Sequence, residues 1–176
     1  MTITEKLKSA IRDVPDFPKP GILFKDITPI LENPGLCKEV TEALAAPYKN
    51  NLPDAVVGVE SRGFLFGMLL AQYFNIPFIP VRKAGKLPYK TISHSYNLEY
   101  GSATIEMHLD SIKPGWNVIV HDDLLATGGT AGAAAELIRN QQASVAGFNF
   151  LVELEFLKGR AVLESFNTRV DSLLSF

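Results

Sequence analysis

Apolar residues fall along this chain in short runs, at 55–59, 77–81, 118–120 and 145–152, rich in valine, isoleucine or phenylalanine and interrupted by a polar side chain only at Asn149. Runs without polar alternation describe strands buried on both faces, as in a parallel sheet. Between them lie stretches suited to helix: 64–74 is apolar almost throughout, and 131–139 is rich in alanine. Asn33-Pro34 pairs an N-cap residue with proline at the first helical position and predicts a helix to about residue 48. Upstream, 4–11 predicts a short amphipathic helix with Leu7 and Ile11 inward, stopped by the proline-rich loop 15–21. Downstream, 158–163 predicts a helix and 169–174 a last strand. One stretch breaks the rhythm: from 82 to about 102, Lys83, Lys86 and Lys90 cluster with Gly85 and Pro88, which describes a mobile basic segment. Residues 92–109 alternate as a hairpin does. The repeated strand-helix-strand order predicts an α/β fold, a mostly parallel central sheet flanked by helices. In such sheets ligands bind beyond the carboxyl ends of the strands, and three segments are expected there: 60–63, 82–86 and 122–130.

Length and composition suit that picture. The 176 residues, 47% hydrophobic and 20% charged, give one domain over 1–176 with a sizeable core, outside the disordered range. A formal net charge of −2 and a pI near 5.9 give no reason to expect nucleic acid or an anionic membrane as a partner. The single Cys37 rules out an internal disulfide and suits a reducing compartment, here the cytoplasm. The first seven residues lack the apolar core of a signal peptide, and the longest apolar stretch, near 64–70, is far short of a membrane span. His94, His108 and His121 lack the spacing or cysteine company of a metal site, so no protein-held metal is expected.

The densest chemistry is at 118–130, where Val118-Ile119-Val120 leads through His121-Asp122-Asp123-Leu124-Leu125 into the turn Ala126-Thr127-Gly128-Gly129-Thr130, ahead of a helix. Glycines let backbone N–H groups converge, Thr127 and Thr130 add hydroxyl donors, and the helix presents its partly positive N-terminus, which together cradle a phosphate. Asp122 and Asp123, expected at the carboxyl end of the strand, repel a phosphate but accept hydrogen bonds from sugar hydroxyls. The combination describes a ribose 5-phosphate group. Its alternative is an ordinary strand-to-helix turn with solvated aspartates. Gly128-Gly129-Thr130-Ala131-Gly132 is not G-x-G-x-x-G, and Phe64-Leu65 stands where a P-loop beginning at Gly58 needs Lys-Ser/Thr, so both named phosphate motifs are excluded. Arg62, between Ser61 and Gly63, offers a guanidinium fork and backbone donors to a second anion. Lys83 and Lys86 either fold over that second site or form a solvated loop face.

Asp122 through Thr130 resembles the phosphoribosyl pyrophosphate signature of the type I phosphoribosyltransferases. Residues 17–27, Glu60-Ser61-Arg62-Gly63-Phe64, Arg82-Lys83-Ala84-Gly85-Lys86-Leu87-Pro88 and Leu98-Glu99-Tyr100-Gly101 are similar to further motifs of the adenine-specific branch. So are Val152-Glu153-Leu154 and Leu157-Lys158-Gly159-Arg160, which extends the resemblance over nearly the whole chain. It implies the type I phosphoribosyltransferase fold, with a small N-terminal hood in 1–33 and a flexible catalytic loop over 83–104. The implied reaction converts adenine and the magnesium complex of 5-phosphoribosyl-1-pyrophosphate into AMP and pyrophosphate, a step of purine salvage, in a homodimer. By the same resemblance Ala126, Thr127, Gly128, Gly129 and Thr130 hold the 5-phosphate, and Asp122 and Asp123 the ribose hydroxyls. Glu60, Ser61, Arg62 and Gly63 hold the pyrophosphate with Lys83 and Lys86; Arg82 joins them or serves a neighbouring subunit. Leu23, Phe24 and Lys25 with Leu154 bind adenine. Glu99, beside Tyr100, meets the purine ring nitrogens, and Glu99, Tyr100, Arg62 and Lys86 form the catalytic set. Magnesium is then held mainly by substrate oxygens and water.

Two positions depart from that pattern. Lys25 stands where the family often has arginine, and His121 where it commonly has an aliphatic residue. Strand alternation turns His121 away from Asp122, which makes it a packed, hydrogen-bonded histidine rather than a catalyst. Two other functions fit the residues less well: a phosphoribosyltransferase for hypoxanthine, guanine or xanthine, and a non-catalytic sensor of phosphoribosyl pyrophosphate. The hood and Leu98-Glu99-Tyr100-Gly101 favour adenine over the first, and retention of Glu99 with the lysine loop disfavours the second.

Overall fold

The structure, a computed structural model, describes residues 1–98, 100–166 and 169–176 and divides into two compact units, Met1–Ala43 and Leu44–Phe176. The first unit opens with α1 (Ile3–Ala10), set by a capping box. The Thr2 hydroxyl accepts from the Glu5 N–H while the Glu5 carboxylate accepts from the Thr2 N–H. Two antiparallel strands follow, β1 (Arg12–Pro15) and β2 (Leu23–Asp26), with Val14 opposite Phe24. Neither is legible in sequence, because each has only four residues, two of them charged, and no apolar run of strand length. The one-turn helix α2 (Thr28–Leu31) escapes notice for the same reason of length. α3 (Pro34–Ala45) begins where Asn33-Pro34 predicts it, with Asn33 Oδ1 accepting the Leu36 N–H.

The second unit holds β3 (Ala55–Val59), α4 (Gly63–Phe74), β4 (Phe78–Lys83), β5 (Thr91–Asn97), β6 (Ser102–His108), β7 (Asn117–Leu125), α5 (Gly129–Asn140), β8 (Ser144–Glu153), α6 (Gly159–Leu163) and β9 (Val170–Ser175). They form one sheet in the order β5-β6-β4-β3-β7-β8-β9. Pairing is parallel from β4 across to β9, and antiparallel where β6 meets β4 and β5. The mostly parallel α/β sheet expected from the apolar runs is therefore present, with a hairpin added at one edge. The hairpin is the one expected from the alternation at 92–109, paired from Thr91 opposite His108 to Asn97 opposite Ser102.

Alternate residues of the central strands divide between the faces. Val57, Val59, Val81, Val118, Val120, Phe148 and Phe150 join Ala134, Leu137 and Ile138 of α5 in one core. The other face receives α4, and there His121 replaces an apolar side chain. Its ring is fully buried beside Gly67, Nδ1 shares a 2.9 Å hydrogen bond with Asn149 Oδ1, and Asn149 Nδ2 donates to Leu44 O at 3.0 Å. The packed histidine expected from strand alternation is what the structure holds.

β7 differs from expectation in length. The sequence stops the strand at Val120, yet pairing with β8 continues through Asp122 opposite Phe150 to Leu125 opposite Glu153. Carboxylates are poor strand formers in isolation, so propensity reads them as a stop. Here the neighbouring strand supplies the backbone partners. Asp122 and Asp123 thus lie inside the strand, not beyond it, and point to opposite faces.

Burial disfavours the imidazolium and, against the hydrogen bond that Asn149 Oδ1 accepts, lowers the His121 pKa from 6.5 to about 4. The stability contributed by the neutral ring is complete above 6.5 and is lost as pH falls toward 4. At about 1.36 kcal/mol per pH unit, this amounts to roughly 3 kcal/mol. Denaturant titrations across pH 4–7 are expected to show a flatter acid limb for His121→Gln than for the parent chain; superimposable limbs would assign the acid sensitivity elsewhere.

Candidate active site

β3 lies between β4 and β7, so chain connections leave it in opposite directions, and a crevice opens at the carboxyl ends of the strands at such a switch point. The turn after β3 and the end of β7 come together there. Gly63 makes the approach possible, since a Cβ on it would stand 2.8 Å from Asp122 Oδ1.

Two hollows adjoin at this crevice. The first, of about 70 Å³, is lined by Asp122, residues 124–131 and Phe150. Gly128 enters the left-handed region at φ +81°, open to glycine at little cost. α5 begins immediately after it, and the first turn of a helix leaves N–H groups without helical partners. The second hollow, of about 130 Å³, has Glu60, Arg82, Lys83, Tyr96, Asp122 and Thr130 among its walls. Asp122 and Thr130 line both. Tyr96, on β5, shares a 2.8 Å hydrogen bond with the Thr130 hydroxyl and so ties the edge hairpin to the first hollow. Sequence reasoning missed Tyr96; its place in the alternation of the hairpin is the one signal that it points inward.

Cations converge on the second hollow, and two carboxylates arrange them. Glu60 Oε1 accepts from Arg82 Nη2 at 3.1 Å and pairs with Lys86 Nζ at 3.3 Å, while Oε2 accepts the Lys83 N–H at 2.9 Å. Burial pushes the Glu60 carboxyl up, but these bonds outweigh it and hold the group below the usual carboxylate range. Glu60 is therefore the counter-ion of the cations, a correction to its expected place among groups contacting an anion. Glu106, buried on β6, accepts the Gly85 and Leu87 N–H groups at 3.0 and 3.2 Å and the Thr91 hydroxyl at 3.3 Å. The basic loop is thus fastened at its backbone, leaving Lys83 and Lys86 at the surface. Glu106 also went unread, because its partners are local only once β6 has paired with β4.

The two aspartates part company. Asp123, 4% exposed, pairs with Arg62 Nε at 2.9 Å on the α4 side. Asp122 faces the two hollows. Burial, then the charge of Asp123, pushes the Asp122 carboxyl well above the usual range; burial raises Asp123 too, against the opposing Arg62. The paired clasp of one sugar expected from sequence is divided, with Asp122 alone lining the hollows and Asp123 holding the arginine.

Ser61 is exposed beside Arg62. Leu154, just past the end of β8, donates its N–H at 2.9 Å to Leu125 O, the last residue of β7. Tyr100, 86% exposed at the hairpin tip, lines neither hollow, and Glu99 lies outside the described residues. Leu23, Phe24 and Lys25 belong to the N-terminal unit. There Phe24 meets the Phe17 ring edge-on at 5.1 Å and Lys25 Nζ bonds Asp13 Oδ1 at 2.6 Å. Among the described residues no group of three or more His, Cys, Asp or Glu is arranged to hold a metal ion, and no helix is long and apolar enough to cross a membrane.

The phosphoribosyl transferase domain family matches residues 26–163. An adenine phosphoribosyltransferase from Cytophaga hutchinsonii is 48% identical over 174 residues, 99% of this chain and 96% of its own. The crystal structure of adenine phosphoribosyltransferase from Rhodothermus marinus superposes with a TM-score of 0.94 at 50% identity, covering 99% of this chain and 98% of the other. That of the Saccharomyces cerevisiae enzyme, complexed with an imino-altritol bisphosphate and adenine, gives 0.91 at 45% identity, with 98% of each chain covered.

A buried carboxyl whose folded pKa is raised stabilises the fold fully only below its unfolded value, and that contribution is lost as pH climbs through the folded value. Ionising Asp122 in the fold therefore costs stability as pH rises toward neutral, a cost that Asp122→Asn removes. The variant is expected to melt higher than the parent at neutral pH, by about 2–4 °C per kcal/mol gained, with the gap closing toward pH 4. Calorimetry giving an equal or lower Tm at pH 7 would contradict the assignment.

Proposed function

The chain belongs to the phosphoribosyl transferase family, and on that premise we propose that it is an adenine phosphoribosyltransferase, forming AMP and pyrophosphate from adenine and 5-phosphoribosyl-1-pyrophosphate. The observation that carries this reading is the pair of adjoining hollows with Asp122 and Thr130 in the walls of both. A sugar carrying phosphate at one end and pyrophosphate at the other calls for two anion sites and a hydroxyl acceptor between them. The turn 126–130 takes the 5-phosphate, Asp122 accepts from the ribose hydroxyls, and Arg82, Lys83 and Lys86 take the pyrophosphate, with Arg62 and the 60–63 turn alongside. Adenine as the base is supported by the relatives named above and by the adenine complex of the yeast enzyme. The roles of Leu23, Phe24, Lys25, Leu154, Glu99 and Tyr100 rest on the family likeness.

In the reaction the bond from the anomeric carbon to the pyrophosphate oxygen breaks as a bond to a purine ring nitrogen forms, through an oxocarbenium-like state. The protein has to spread leaving-group charge, align the reactants and exclude water. Glu60 serves the first task before the substrate arrives, by gathering Arg82 and Lys86 around one carboxylate so that little reorganisation is left for the bound state. Magnesium enters as part of the substrate complex, held by ribose and pyrophosphate oxygens and water.

The reading extends to a homodimer in the cytoplasm. Leu65, Met68 and Tyr73 of α4 are 41%, 53% and 43% exposed, apolar side chains that a second copy would cover, and Cys37 is a free thiol.

Mass detection of AMP from adenine, phosphoribosyl pyrophosphate and magnesium, with each omitted in turn, is expected to show product only in the complete mixture. Turnover of guanine or hypoxanthine with none of adenine would overturn the base assignment. Sedimentation velocity is expected to give a dimer that Met68→Lys dissociates; a parent chain sedimenting as a monomer removes that part of the reading.

A further inference from the structure

The turn 126–130 is braced from outside its own segment. Gly159, the first residue of α6, lies backbone to backbone against it. A Cβ on Gly159 would press into Ala126 O and stand 2.9 Å from Gly128 N, and a Cβ on Gly128 would stand 2.6 Å from Gly159 O. These are closer than a Cβ approaches any non-bonded atom, and the atoms met are backbone, which cannot swing aside. Gly128 needs glycine for its left-handed φ as well; at Gly159 the requirement is space alone.

A charge clamp one residue further on fixes where Gly159 lies. Glu153, 4% exposed at the end of β8, receives the Arg160 guanidinium as a fork, Nε donating to Oε1 at 3.1 Å and Nη2 to Oε2. Arg160 Nη1 donates to Val170 O on β9, and the Ser172 hydroxyl donates to Glu153 Oε2 at 2.8 Å. Two parallel N–H···O bonds hold a guanidinium in orientation as well as in place. The first turn of α6 is thereby anchored to the ends of β8 and β9.

We propose that Gly159, Arg160 and Glu153 are positioning residues for phosphate binding: the clamp seats the α6 backbone behind the turn 126–130 and fixes the directions of its N–H groups. None of the three touches the ligand. The inference rests on the reading above that this turn takes the 5-phosphate.

Calorimetric titration of the full chain with AMP, and separately with pyrophosphate, tests it. Gly159→Ala is expected to weaken AMP binding about ten- to a hundredfold, the equivalent of one lost charge-assisted hydrogen bond, while pyrophosphate binding stays within about twofold. Arg160→Met adds no atoms to the turn and is expected to show a smaller loss with the same selectivity, Arg160→Lys recovering part of it; these variants carry the test if Gly159→Ala does not fold. A parallel fall in both affinities would mean general destabilisation and overturn the proposal, as would AMP binding unchanged in the variants. A parent chain that binds pyrophosphate but not AMP would overturn the assignment of the turn itself, and this inference with it.

Discussion

Parallel pairing of β7 with β8, sustained as far as Leu125 opposite Glu153, is the constraint on which the rest of the site depends. It carries two carboxylates into a buried strand, where alternation sends one to each face. Asp123 finds Arg62 at the start of α4, and Asp122 faces the hollows. It also delivers the chain to Ala126 at the level of the sheet edge, so that the turn 126–130 opens at the switch point between β3 and β7 and not somewhere along a loop.

Carboxylates, more than cations, organise the site. Glu60 collects Arg82, Lys86 and the Lys83 N–H; Glu106 fastens the backbone of the basic loop; Glu153 seats Arg160. Each is largely buried and each accepts several hydrogen bonds, which is what makes burial of a charge tolerable. An anion-binding surface assembled without such counter-ions would consist of mutually repelling lysines and arginines with no preferred arrangement. The acidic pair in β7 is the exception, since burial first and the neighbouring charge of Asp123 second push the Asp122 carboxyl up. That is a local conflict of the kind functional sites retain.

The sequence read well where the deciding interactions are close along the chain. β3, α4 and α5 lie within a residue or two of their expected bounds, because β-branched runs, alanine-rich stretches and the Asn33-Pro34 pair carry their signals in a few adjacent positions. The turn at 126–130 is legible for the same reason: glycines, hydroxyls and the following helix are consecutive. The short strands β1 and β2 gave no such signal, whereas the alternation at 92–109 marks the edge hairpin that β5 and β6 form.

By itself, then, the amino-acid order determined the α/β alternation, the glycine-bearing turn at 126–130 and the family resemblance, all of which are properties of contiguous residues. Only the tertiary structure decided that Asp122 and Asp123 part, that Glu60 faces cations, that Tyr96 bonds Thr130, that Glu106 holds the basic loop, and that Gly159 lies against the turn 126–130. Each of those depends on which distant segment lies alongside, and strand register is set by the packing of the whole sheet. Propensity and periodicity see a window of a few residues, whereas the partners of Glu106 and Gly159 meet them only after β6 and α6 have docked.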